Sequence, residues 1–541
     1  VFDLVIKNGE IIDGTGKQGF VGDIGIKDGK IKAIGKLDAQ DRPTIDAEGL
    51  VVSPGFIDIH SHSDFTLFVN RRGESKIRQG ITTEVTGNCG FTAAPVTEEH
   101  FDDLIQYLAN TVILSDEEKA KWKWPSQADF LQEIQGDEGF SFNLAPLVGH
   151  GTIKVGVMGF DKSKPASEVM DRMLGLLQAE MDRGLFGLST GLQYEPCLYS
   201  DTQELIELAK KVKEYGGIFS FHLESESEGL VRCISQALEV AEKSGVSLQI
   251  SHLKAAFRPN WGMSTTVLDM IDDAKQAGIN VDFDVYPYVA YGSGLIDLMP
   301  PWVREQGAGK MVELLKDDSI RTRVIREMDN PGEDWENPAH GCGWDNIRIA
   351  MLKTEANRKY EGMSVQQIAD HMGLSPAEAT VKLMIEEEAA IKAIYFAMSE
   401  EDLINIMKHP DAIFATDGRA VAPYGPLGRG SVHPRYYGTY PRILGRYVRE
   451  KQIIPLEEAI KKMTYLPAKK VGLKQRGLLK EGYWADITIF DKHNVIDVAT
   501  FDNPHQYPVG IEYVLVSGQL VIEKGEHTGK LPGRVLKRGQ A

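Results

Sequence analysis

Eight short apolar runs, each followed by a stretch with helical spacing, fill the middle of this chain and leave it few folds to adopt. They lie at 56–60, 82–86, 142–148, 185–189, 218–222, 247–252, 281–285 and 413–416. The intervening stretches open on Asp, Glu or Ser, as in Asp201-Thr202-Gln203-Glu204, which is how helices start. Strands and helices alternating in this number predict an α/β fold, an eight-stranded parallel (β/α)8 barrel of the TIM type. An open doubly wound sheet is the rival, but no GxGxxG turn follows a strand to support it.

The flanks have a different texture. From residue 2 to 52, short alternating strands are broken by Asn8-Gly9 and Asp28-Gly29, which is hairpin chemistry, and the pattern returns only at 485–490 and 513–521. Chain ends of one unit tend to lie close together, so residues 1–52 and 480–541 are expected to form one discontinuous β-sandwich around a barrel domain, 53–479. The barrel spacing breaks once, over a Pro-, Trp- and charge-rich piece at 292–346, read as an insertion on the rim.

Composition narrows the function. A chain of 541 residues, 42% hydrophobic, can bury a large core, and its net charge of -18 argues against nucleic-acid or anionic-membrane partners. No run approaches the roughly 20 apolar residues that span a bilayer, and the start lacks the basic-then-apolar layout of a signal peptide. The four cysteines are scattered with no CxxC pair, so reduced thiols, a cytoplasmic location and a small-molecule partner are expected.

Barrel enzymes carry their chemistry where strands end. Here those ends present His60 and His62 after the first strand, Cys89 past the second, His150 past the third, His222 and His252 closing the fifth and sixth, and Asp417 after the eighth. Each has an ordinary alternative: an exposed or satisfied histidine, a buried structural thiol, a turn aspartate. Their joint placement, drawn from only 13 histidines and four cysteines, predicts a metal site. Alternation along a strand puts His60 and His62 on one face.

The stretch Gly55–Asp64, the motif Thr86-Gly87-Asn88-Cys89-Gly90-Phe91, His222, His252, Thr416-Asp417-Gly418, the run from His433 to Arg442 and the run from Phe501 to Pro508 together resemble the N-acyl-D-amino-acid deacylase (D-aminoacylase) branch of the amidohydrolase superfamily. The resemblance covers essentially the whole chain. It implies Cys89, His222 and His252 as ligands of one tightly bound Zn2+, because the fourth strand, ending Gly187-Leu188-Ser189-Thr190-Gly191, offers no lysine to bridge two metals. One thiolate and two imidazoles suit zinc and leave a position open. His60, His62 and Asp417 are then implied as a second, weaker position. The resemblance further implies Asp417 as general base and acid, Tyr194 as a donor to the oxyanion, and Lys254, Tyr286 and Arg435 as holders of the substrate carboxylate.

Two departures bear on substrate. Members of the branch that take acidic D-amino acids carry an extra arginine after the seventh strand, whereas residues 293–302 contain none, so a neutral or apolar side chain is expected. Glu224 stands where the branch commonly has arginine, which keeps open a dipeptidase of the same fold cleaving L-Xaa-D-Xaa dipeptides through a cationic α-ammonium. A non-catalytic scaffold built on the fold is the third reading, although no expected ligand is missing. His150 is expected at most behind the ligands, and the oligomeric state stays open.

Overall fold

The computed structural model describes residues 2–38, 42–109, 121–305, 307–331 and 335–540. The eight apolar runs form parallel strands: Phe56–Asp58, Ile81–Thr86, Asn143–Pro146 continuing as Val148–Gly149, Gly187–Gly191, Ile218–His222, Ser247–Ile250, Val281–Val285 and Ala412–Phe414. The third strand changes partner at Leu147: its first half pairs with the second strand and its second half with the fourth. Strands four to eight follow in chain order. The ring closes where Ser61 bridges Gly418; there the His62 amide donates to the Gly418 carbonyl and the Asp417 amide to the His60 carbonyl, each at 2.9 Å. Every residue of the second, fourth and fifth strands is buried, their threonines, serines, Glu84 and His222 included.

The first strand is shorter than its apolar run. Its ladder stops at Asp58, whose carboxylate accepts the His60 amide at 3.3 Å, the Thr416 amide at 2.9 Å and the Thr416 hydroxyl at 2.5 Å. His60 and His62 are therefore delivered from a bend after the strand, not from the strand itself. Lys76 completes the arrangement, 2.9 Å from both Asp58 and Glu84 and 2.6 Å from Thr416 Oγ1. These charges are fully buried, and buried charges persist only when paired. The cluster locks strands one, two and eight together beneath the rim.

The two chain ends share one nine-stranded sheet. Val51–Pro54 runs antiparallel to Ile487–Phe490 and parallel to Leu4–Ile11, so the junction of the halves is a hydrogen-bonded ladder as well as a packed face. Ile6, Ile24, Ile26, Val52, Ile487, Ile489 and Leu515 form its core. The final stretch leaves this sheet and runs along the barrel, where Leu144 donates to Arg534 and Leu536 donates to Leu144.

The rim insertion is longer than the sequence pattern suggests. Its strand Tyr291–Gly294 pairs antiparallel with Lys392–Tyr395, which pairs in turn with Ile347–Met351. The excursion between strands seven and eight thus closes at 395 rather than 346, around a separate core that includes Leu298, Met311, Met328, Ile349, Ile368 and Val381.

Candidate metal centre

Three donor residues sit directly past strand ends in a left-handed backbone: Cys89 at φ +54°, His252 at +34° and Asp417 at +45°. Such a conformation costs a non-glycine residue on the order of 1–3 kcal/mol, so something must hold it. The Cys89 turn is held by the Gly90 amide donating to Ser189 Oγ at 2.9 Å and by the Tyr107 hydroxyl donating to the Gly90 carbonyl at 3.0 Å. His252 is held by its amide donating to Asp284 Oδ1 at 2.8 Å.

These turns bring the donor atoms to one point. Cys89 Sγ lies 3.2 Å from His60 Nε2, 3.4 Å from His222 Nδ1 and 3.8 Å from His252 Nε2. His222 Nδ1 and His252 Nε2 are 2.9 Å apart. Asp417 Oδ1 is 3.5 Å from His60 Nε2 and 3.3 Å from His62 Nε2. All six metal-capable residues singled out by the motifs therefore meet.

What makes this a ligand set is the far side of each ring. His60 Nδ1 faces Asp284 Oδ1 at 3.2 Å, His222 Nε2 faces Gln193 Oε1 at 3.1 Å, and His252 Nδ1 faces Glu226 Oε1 at 2.7 Å. Each outer nitrogen faces an oxygen, and His252 Nδ1 also lies 2.8 Å from Lys254 Nζ. The inner nitrogens point at the Cys89 sulfur, and a proton on the outer nitrogen is the tautomer that leaves each of them a lone pair for a metal. Three imidazole nitrogens, a thiol and a carboxylate converge in a buried space, and the mixed sulfur–nitrogen set fits Zn2+.

The charges of the rings differ: burial opposes the His60 charge, but Cys89, Asp284 and Asp417 outweigh it and raise His60 well above the usual histidine range, whereas the other two inner rings are pushed down. Burial, reinforced by His252 and Lys254, pushes His222 well below the usual histidine range, and burial and Lys254 do the same to His252, so both rings are neutral. Burial pushes the Cys89 thiol up against the opposing pull of His60, and a divalent cation is the charge that reverses this. Burial would also raise Asp417, but the Arg435 guanidinium, with His60 and His62, holds its carboxyl well below the usual carboxylate range. Asp417 is ionised.

Beside the donors lies a cationic corner. Arg435 Nη1 is 3.0 Å from Asp417 Oδ2, and its guanidinium stands 4.7 Å from the Tyr286 ring. Lys254 Nζ is 2.8 Å from His252 Nδ1 and 2.5 Å from Glu226 Oε1. The Tyr286 hydroxyl and Arg435 Nε are buried with no hydrogen-bond partner among the described residues, which leaves two donors for a ligand oxygen. Burial keeps Tyr286 and Tyr194 protonated well above the usual phenol range. Tyr194 packs at the edge, its ring 5.1 Å from His222 and 5.0 Å from Phe91.

Other candidates stand apart. His150 joins Thr190 Oγ1 and Glu204 Oε1, each at 2.9 Å, behind the fourth strand and away from the donor group. Glu224 is half-buried and pairs with Arg232 at 2.9 Å, so it does not offer an unpaired charge to a substrate. A second cluster, Asp272, His409 and Asp411, lies near the opposite end of the barrel strands. Lys275 occupies Asp411 at 2.7 Å, and His409 Nδ1 accepts the Asp411 amide, which removes the tautomer a metal would need.

Sequence reasoning missed the acceptors Asp284, Gln193 and Glu226 and the Lys76 cluster. Two of these left a trace: Asp284 and Glu84 are acids inside buried parallel strands, which demands a partner. Gln193 and Glu226 sit in loops with no pattern around them.

Comparison with known proteins agrees with the geometry. The model of the amidohydrolase family matches residues 43–522. D-aminoacylase from Alcaligenes xylosoxydans xylosoxydans is 32% identical over all of this chain and 98% of its own length; N-acyl-D-glutamate deacylase from the same organism is 33% identical, covering 99% and 96%. Among solved structures, the N-acyl-D-glutamate deacylase of Bordetella bronchiseptica, complexed with zinc and a phosphonate inhibitor, superposes with a TM-score of 0.82 at 30% identity over 99% of both chains. Matched end to end, with its donor set complete, the chain belongs to the amidohydrolase family, in the group formed by D-aminoacylase and the N-acyl-D-amino-acid deacylases.

Proposed function

We propose that the chain hydrolyses the amide bond of N-acyl-D-amino acids, releasing a carboxylate and a free D-amino acid, with neutral or apolar side chains favoured. The observation that carries this is the set of three imidazole nitrogens directed at Cys89 beside an ionised Asp417 and a cationic corner. Cys89, His222 and His252 would hold one zinc tightly, with His60, His62 and Asp417 framing a weaker position. Zinc bound there supplies a Lewis acid to the amide carbonyl.

The remaining steps belong to the chain's own groups. Asp417 takes a proton from the attacking water and delivers it to the leaving nitrogen, so that one carboxylate serves as base and then acid. Tyr194, kept protonated by burial, donates to the carbonyl oxygen as negative charge develops there. Arg435, Tyr286 and Lys254 hold the α-carboxylate; Arg435 can do so through its Nε edge while its other edge stays on Asp417. The preference for uncharged side chains is supported by Asp297, the one charged group among residues 293–302, a buried acid 3.8 Å from Arg304.

The test is a side-by-side assay of the zinc-loaded protein on N-acetyl-D-leucine, N-acetyl-D-glutamate, their L-enantiomers and an L-Xaa-D-Xaa dipeptide. Fastest turnover of N-acetyl-D-leucine is expected. The dipeptide arm tests the rival activity, and turnover confined to L-configured or cyclic amides sinks the proposal.

A further inference from the structure

The loop that follows the fifth strand faces two ways. Glu226 points inward, where its Oε1 lies 2.7 Å from His252 Nδ1 and accepts from Lys254 Nζ at 2.5 Å. Its flanking serines point outward to Glu336 of the rim insertion: Ser225 Oγ donates to Glu336 Oε1 at 2.8 Å, Ser227 Oγ donates to Oε2, and the Gly229 amide donates to Oε1 at 3.1 Å. A single carboxylate thus gathers two hydroxyls and the amide at the head of helix Leu230–Ser244, whose first turn favours negative charge. Gly229 is needed for the gathering, since a Cβ there would lie 2.8 Å from Ser225 Cβ.

We propose that Glu336 is a positioning residue for the metal centre, its carboxylate latching the loop 223–229 and thereby fixing Glu226 against His252 and Lys254. The inference rests on the zinc-hydrolase reading above. Its reasoning is geometric. Among the described residues, Glu226 is the acceptor that faces His252 Nδ1, and it also pairs with Lys254, which lies 2.8 Å from the same nitrogen. Loss of its place releases a metal ligand's tautomer and a carboxylate-binding cation together. On the Glu226 side the backbone is held by one bond, from the Ala256 amide to the Glu226 carbonyl at 2.8 Å, whereas the latch supplies three. The insertion is thereby tied to the chemistry through a residue that touches neither metal nor substrate.

The experiment uses the full-length zinc protein and the variants Glu336→Ala, Glu336→Asp, Ser225→Ala with Ser227→Ala, and all three alanines combined. Zinc affinity by chelator competition, hydrogen exchange over 223–229, and KM and kcat on N-acetyl-D-leucine are measured for each. Glu336→Ala is expected to raise exchange in the loop, weaken zinc about tenfold or more and raise KM more than it lowers kcat. Glu336→Asp restores part of each. The serine pair reproduces the loss, and the triple variant is no worse than Glu336→Ala alone, because all three remove one latch. Zinc affinity and KM within about twofold of wild type in Glu336→Ala overturn the proposal, and so do additive losses in the triple variant. Zinc affinity and exchange do not depend on which amide is cleaved, so failure of the deacylase reading shows separately, as absent turnover with the latch effects intact.

Discussion

Gly191→Ala probes how closely the fourth strand is fitted to the Cys89 turn. A Cβ at Gly191 would lie 2.3 Å from the Cys89 carbonyl oxygen and 2.9 Å from Tyr194 Cδ2. Ordinary carbon–oxygen contact begins near ~3.3 Å, so about 1 Å must be found between the strand and the turn. The strand is pinned by parallel ladders on both sides, and the turn already holds Cys89 at positive φ. Overpacking of this kind costs ~1–3 kcal/mol. The thiol carries the displacement, and metal ligands must sit within about 0.2 Å of their place, so zinc affinity is expected to fall about 10–100-fold. Gly187→Ala is the control. Its Cβ would lie 1.9 Å from the Ile218 carbonyl, a worse clash, but at the other end of the same strand. Urea unfolding and chelator competition on both proteins separate the effects. Both should lose stability, and only Gly191→Ala should lose zinc. If Gly191→Ala binds zinc within twofold of wild type, or if Gly187→Ala loses it equally, the fitted-turn argument fails.

Three further outcomes are expected. Lys76→Met leaves Asp58 and Glu84 buried without their cation and should cost ~3–5 kcal/mol by urea midpoint, while an unchanged midpoint shows that the cluster holds nothing together. Asp417→Asn should keep its fold and lower kcat about 10²–10⁴-fold with a much smaller change in KM; a kcat within tenfold of wild type removes Asp417 as the base. The His150–Glu204 pair should make stability depend on pH in a defined window. Burial opposes the His150 charge, but Cys197 and Glu204 overcome it and raise the ring from 6.5 to about 9, so its contribution is complete below pH 6.5 and is lost as pH rises through 9. Burial likewise opposes the Glu204 charge, and His150 and Lys154 lower it from 4.5 to about 2, so its contribution is complete above pH 4.5 and is lost as pH falls through 2. The gap in unfolding free energy between wild type and His150→Gln, ~3 kcal/mol at its plateau between pH 4.5 and 6.5, should narrow towards pH 9 and would contradict the pairing if it stayed constant.

The barrel was legible because its information is local. Most of the parallel strands hold a short apolar stretch, and some of the helices between them, such as the one capped by Asp201, announce their own starts, so eight strands could be placed before any contact was known. Their ends were less secure. Phe56–Asp58 stops short of its apolar run because a side chain, Asp58, takes over the ladder's hydrogen bonds, and no periodicity encodes that. The far boundary of the insertion was unreadable for a related reason. Tyr291–Gly294 and Lys392–Tyr395 pair across about a hundred residues, and neither strand looks unusual alone.

The site divides along the same line. Histidine, cysteine and aspartate at strand ends are rare enough residue types in telling places that the donors could be found from the sequence. The acceptors behind them could not. Yet the acceptors decide whether the donors work. Exchange Asp284, Gln193 and Glu226 for apolar residues and every motif that identifies the family survives, but each imidazole is free to turn its proton inward, and an N–H aimed at Cys89 cannot bind a metal. Two of these acceptors are also loop residues, one of them held by the insertion through Glu336. Recognition of the family therefore rests on strand ends, whereas competence of the centre rests on the loops between them. Variants in Gln193 and Glu226 should accordingly lose zinc before they lose fold, and variants in Lys76 or Asp58 should lose fold first.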